Sequence, residues 1–249
     1  MKLYVLNCGQ MITPDGNILS QLNTDFLRLV IPVSAFLLVH PEEGPVLIDT
    51  GFAYGHLPQE ILQNVAWAPS LALRSQVAAL GFDPDGIGKV ILSHLHFDHA
   101  GQLDDFPNAA VCLREAELRA AFPPSRGDYV IADYANLPER RIERIPDEGD
   151  YDFFGDGSLI CLDTKGHSPG HQSFLVRLPN TGDVLLTVDA AHLHQYFETD
   201  IFYQDAWDVQ KAGVAAARLK ELSGRCAVTL FGHDPASFKK ARKAPEYYD

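Results

Sequence analysis

Six consecutive residues, His94-Leu95-His96-Phe97-Asp98-His99, carry four side chains able to bind a metal ion. They follow Lys89-Val90-Ile91-Leu92-Ser93, an apolar run that reads as a buried strand. A strand ending in such a cluster constrains the fold: a rigid edge and a loop present the first ligands, and the remaining donors must arrive from distant parts of the chain. Alternation along the segment sends His94, His96 and Asp98 to one side and turns His99 to another, which lets one segment serve two neighbouring ions.

Three later residues share this context, each at the edge of a strand-like run and beside a small residue. They are His171 in Gly166-His167-Ser168-Pro169-Gly170-His171, Asp189 in Leu186-Thr187-Val188-Asp189-Ala190, and His233 in Phe231-Gly232-His233-Asp234. Five histidines and two aspartates make seven ligands. One zinc ion takes about four, so the set implies two divalent cations sharing a bridge, for which a carboxylate is the natural group. That arrangement belongs to two-metal hydrolysis. Nitrogen and oxygen donors suit zinc, and also iron, manganese or cobalt.

The rest of the chain reads as short strands and helices. Strand patterns cover Lys2 to Asn7, Val33 to His40 and Pro45 to Asp49, the latter two joined by a turn at Pro41-Glu42-Glu43-Gly44. A helix is predicted from Leu71 to Leu80, a strand from Ala109 to Leu113 and a helix from Arg114 to Phe122. Residues 123–157 carry no period and read as a surface excursion with a lid role, while the apolar segment 18–33 reads as an irregular core strand or a pocket flap. Strands at Ser158 to Asp163, Gln172 to Leu178 and Val184 to Val188 pair antiparallel, Asp205 caps a helix, and Ala227 to Phe231 forms the last strand. No linker interrupts the pattern, and a single domain over residues 1–249 is expected.

Composition excludes several partners. The 33 acidic residues against 20 basic give a net charge of -13, which disfavours nucleic acid and anionic membrane surfaces. No stretch approaches the ~20 apolar residues of a membrane span, and no secretory leader is evident, so a cytoplasmic location is expected. The four cysteines are too dispersed for a zinc knuckle or a disulfide framework and read as buried thiols.

Taken together, Leu47-Ile48-Asp49-Thr50-Gly51, the His94 to His99 cluster, the Gly-His-x-x-Gly-His segment, Thr187-x-Asp189 and Gly232-His233 resemble the metallo-β-lactamase superfamily across most of the chain. The resemblance implies an α+β fold, a four-layer αββα sandwich with the site at one edge of its sheets. It also implies that His94, His96 and His171 hold one ion, that Asp98, His99 and His233 hold the other, and that Asp189 bridges. Within the superfamily, the motifs are most similar to those of the N-acyl homoserine lactone lactonases, the quorum-quenching branch. The activity implied is ring opening of a small-molecule lactone by a hydroxide bridging the ions, with Asp98 carrying a proton to the leaving oxygen and a homodimer as the assembly.

One departure stands out. Those lactonases carry a tyrosine three residues after the bridging aspartate, where this chain has His192. Either His192 takes over the catalytic contact with the substrate carbonyl, or Tyr196 or another tyrosine does, or the substrate is another lactone, ester, thioester or organophosphate. His167 is expected to make a loop hydrogen bond, Asp49 to orient a ligand histidine, and His194 to lie at the rim or surface.

Overall fold

Strands that are apolar on both faces favour a sheet covered on both sides, and Val90-Ile91-Leu92 and Ala110-Val111-Cys112-Leu113 are of this kind. In the computed structural model, which describes residues 1–13, 28–199 and 206–249, both runs become buried parallel strands. The chain gathers into two units. Met1–Gln10, Val33–Ile145 and Arg242–Asp249 form the first, and Met11–Pro32 with Pro146–Ala241 form the second.

The first unit is built on a sheet of β1 (Lys2–Thr13), β2 (Leu29–His40), β3 (Gly44–Ile48), β4 (Val65–Ala66), β5 (Lys89–Ile91), β6 (Ala110–Arg114) and β7 (Ile142–Ile145), ordered β4-β1-β2-β3-β5-β6-β7. β2 and β3 pair antiparallel through the expected turn, where His40 Nδ1 accepts the amides of Glu42 and Glu43 at 3.2 and 3.1 Å. β3, β5, β6 and β7 run parallel. Their crossovers hold α1 (Gln59–Leu62), α2 (Leu73–Ala79), α3 (Phe97–Ala100) and α4 (Glu115–Ala121). The helix predicted from Leu71 starts at Leu73 because a 3-10 turn at Pro69–Leu71 precedes it.

The unpatterned stretch 123–157 contains β7, paired with β6, and β8 of the second sheet. Both are short, and only Ile145 of β7 is fully buried, so neither leaves a period to read. Most of the 18–33 segment lies outside the described residues; its end, from Leu29, is the start of β2.

In the second unit, β8 (Tyr151–Asp152), β9 (Leu159–Asp163), β10 (Gln172–Leu178), β11 (Gly182–Val188) and β12 (Val228–Phe231) form a sheet ordered β12-β11-β10-β9-β8. β9, β10 and β11 are antiparallel, as expected, while β12 is parallel to β11. Between these last two come α5 (Gln195–Thr199) and α6 (Val209–Ser223), and α7 (Pro235–Lys240) follows β12. α6 buries Ala212, Ala215, Ala216 and Leu219, and its Ala215 and Leu219 pack with Leu162, Leu175, Leu185 and Leu193. Its cap is Asp208, which accepts the amides of Gln210 and Lys211 at 3.1 and 3.0 Å, and not Asp205, which lies outside the described residues.

Among the described residues, the four cysteines form no disulfide. Burial pushes the thiols of Cys8 and Cys112 up to about 12, which keeps both protonated near neutral pH. No helix among the described residues is long and apolar enough to cross a membrane.

Gly166 fixes the loop before His167. Its φ is +147°, and a Cβ there would stand 2.3 Å from the backbone nitrogen of Ala212 in α6. Gly166→Ala is expected to cost more than about 1 kcal/mol through strain and steric displacement, read as a lower urea midpoint. An unchanged midpoint would show that this approach does not matter.

Candidate metal centre

Parallel strands deliver their C-terminal residues side by side. The register Ile48↔Ile91 therefore puts Asp49 next to Ser93 and the ligand loop. Asp49 adopts a left-handed backbone with φ of 57°, a conformation aspartate tolerates better than most residues, and donates its amide to Ile91 at 2.9 Å. Its carboxylate accepts the Ser93 amide at 2.7 Å, the Ser93 hydroxyl at 2.8 Å and His99 Nδ1–H at 2.9 Å.

These bonds fix two tautomers. The single Ser93 proton goes to Asp49, so Ser93 Oγ accepts Nδ1–H of His94 at 2.9 Å. His94 and His99 thus both carry a proton on Nδ1, the arrangement seen in metal-ligating histidines. Their rings lie 4.2 Å apart, His96 lies 4.5 Å from His94, and His99 Nε2 is 3.6 Å from Asp98 Oδ2. All four residues are buried.

A second set of contacts holds the loop from another side. The buried Glu117 carboxylate accepts the Leu95 amide at 3.0 Å and the Tyr129 hydroxyl at 2.8 Å, and the Tyr129 ring meets His96 edge-on at 4.7 Å. Glu117, Ser93 and Tyr129 carry no metal motif of their own. Their importance comes from tertiary contacts, and the one sequence hint was the apolar strand into which Ser93 is set.

The second unit gathers its own donors round Asp189. This residue follows Val188, whose φ of 47° is strained for a β-branched residue. Gly232 permits the turn, since a Cβ there would stand 2.4 Å from the Val188 carbonyl oxygen. His233 donates its amide to His192 O at 2.9 Å and its Nδ1–H to Pro32 O at 2.9 Å. A carbonyl can only accept, so His233 carries a proton on Nδ1, and its Nε2 lies 3.2 Å from Asp189 Oδ1. The other oxygen, Oδ2, lies 3.3 Å from His167 Nε2 and 3.4 Å from His192 Nε2.

His171 corrects an expectation. Its Nε2 accepts the backbone amide of Asp189 at 3.1 Å, so its proton sits on Nδ1, which faces the Thr164 carbonyl at 3.2 Å and hydroxyl at 3.0 Å. An imidazole used in this way has no lone pair left for a cation. His171 supports the backbone that presents Asp189, and it is His167 whose Nε2 faces the Asp189 carboxylate. Tyr196 is buried with its ring edge-on to His192 at 5.9 Å, and His194 is exposed and paired with Glu198. Imidazole and carboxylate donors, buried and without thiolate, fit divalent cations such as zinc, iron, manganese or cobalt.

The family profile described as "Metallo-beta-lactamase superfamily" matches residues 28–233. The chain belongs to the metallo-β-lactamase superfamily. Among metallo-β-lactamase relatives, N-acyl homoserine lactonase AttM of Azorhizobium caulinodans is 36% identical, covering 100% of this chain and 99% of its own. N-acyl homoserine lactonase AiiA of Bacillus thuringiensis subsp. kurstaki is 34% identical, covering 99% and 98%. A solved N-acyl homoserine lactone hydrolase, with the product N-hexanoyl-L-homoserine bound at its catalytic metal centre, superposes with a TM-score of 0.86 at 32% identity, covering 99% of this chain and 98% of that one. The fold is therefore the α+β metallo-β-lactamase fold read from the motifs.

Asp49 orients two candidate ligands at once. Asp49→Ala is expected to weaken metal affinity by about 10–100-fold, measured by competition with a chromogenic chelator. Unchanged affinity would mean that His94 and His99 are oriented without it.

Proposed function

We propose that this protein hydrolyses the ring of lactones, N-acyl homoserine lactones foremost, at a dinuclear centre. The observation that carries the reading is the Asp189 carboxylate, with imidazole nitrogens at both oxygens, in a chain similar to homoserine lactonases over its whole length. His94, His96 and His167 would hold one ion, Asp98, His99 and His233 the other, and Asp189 would bridge. Zinc is the metal this donor set suits first.

The ions, when bound, supply a water acidified to near-neutral pKa and a Lewis acid for the carbonyl oxygen. The chain supplies the rest. Asp49, Ser93 and Pro32 accept the Nδ1–H of His99, His94 and His233 and so orient the three rings. Asp98 carries a proton to the ring oxygen as it leaves. Opening a ring leaves one tethered product, a hydroxy acid.

His192 in place of tyrosine is the one feature favouring a different ester, thioester or organophosphate, and one comparison separates the readings. Turnover of a homoserine lactone is expected to exceed that of an open-chain ester of equal acyl length by at least about tenfold, and to disappear on chelation. An enzyme faster on the open ester, or fully active without metal, would overturn the proposal.

A further inference from the structure

We propose that His192 is itself a metal ligand in the substrate-free enzyme. This deepens the dinuclear reading above and rests on it. His167 Nε2 and His192 Nε2 lie 3.3 and 3.4 Å from the same oxygen, Asp189 Oδ2, and one donor atom from each of the three residues lies within 4.8 Å of the others. Those two contacts are longer than the N–H···O range of about 2.7–3.2 Å. They match the separation of about 3–3.5 Å between two adjacent donors on one ion with bonds of about 2.0–2.2 Å. The spacing is that of donors turned towards a shared cation.

The surroundings hold the His192 ring in this pose. His192 is 4% exposed, its ring stacks on His233 with centroids 5.5 Å apart and planes at 21°, and Tyr196 closes its edge. Its carbonyl accepts the His233 amide, which ties it to another ligand. A neutral phenol at this position would be a weak ligand, whereas imidazole is among the commonest. The chain therefore has an extra nitrogen donor that a tyrosine-bearing lactonase lacks. The consequence is tighter retention of one ion.

The test uses the full-length protein loaded with cobalt(II), with His192→Tyr and His192→Phe beside the wild type. Chelator competition is expected to show one of two ions bound at least about tenfold more weakly in both variants, with a stronger visible absorption band as the coordination number falls. Wild-type affinity and spectrum in both variants would overturn the inference. A wild type that binds fewer than two equivalents would instead overturn the dinuclear reading beneath it. If either variant fails to fold, proton NMR of the wild-type dicobalt protein decides. Hyperfine-shifted imidazole N–H resonances are expected from His94, His96, His99, His167, His192 and His233, and a spectrum lacking that of His192 contradicts the assignment.

Discussion

A carboxylate that is 5% exposed, with an imidazole nitrogen 3.2 Å from one oxygen and two more at 3.3 and 3.4 Å from the other, is the constraint on which this site turns. Buried charge is costly unless an opposite charge compensates it. Here the partners at the carboxylate are the nitrogens of His233, His167 and His192. His233 is held as the Nδ1–H tautomer by a carbonyl, and His94 and His99 are held likewise through Ser93 and Asp49. Imidazole and carboxylate donors held in this way suit divalent cations, and such cations supply the chemistry of ester hydrolysis when bound.

Backbone strain falls at the same places. Among the described residues, the only non-glycine positions with positive φ are Asp49 at 57° and Val188 at 47°. One is the carboxylate that orients two histidines, and the other immediately precedes the carboxylate proposed as the bridge. Each strained turn costs on the order of 1–3 kcal/mol, and each is secured by its surroundings. The Asp49 amide is bound by the neighbouring parallel strand, and the Val188 turn is accommodated by the missing side chain of Gly232. Stability is given up where aspartates have to be aimed.

The legible part of the sequence was its local part. His94, His96, Asp98 and His99 were readable because they follow one buried strand without interruption, and the antiparallel pairing of Gln172–Leu178 with its neighbours followed from turn residues. His167 and His171 could not be separated in this way. Each follows a glycine in the same Gly/Pro loop, and the choice is made by the amide of Asp189, 18 residues beyond His171. Glu117 reads as an ordinary helix carboxylate until Leu95 and Tyr129 are brought to it. The Asp208 cap was missed for a similar reason, since nothing local distinguishes it from Asp205; the amide of Asp208 is bound to Gly166, far back in the chain.

The most direct test is the anomalous diffraction of crystals grown with a divalent metal. Two peaks about 3.5–4 Å apart, with Asp189 Oδ1 on one and Oδ2 on the other, are the predicted result. A single peak, or an Asp189 carboxylate in contact with neither ion, would contradict the account.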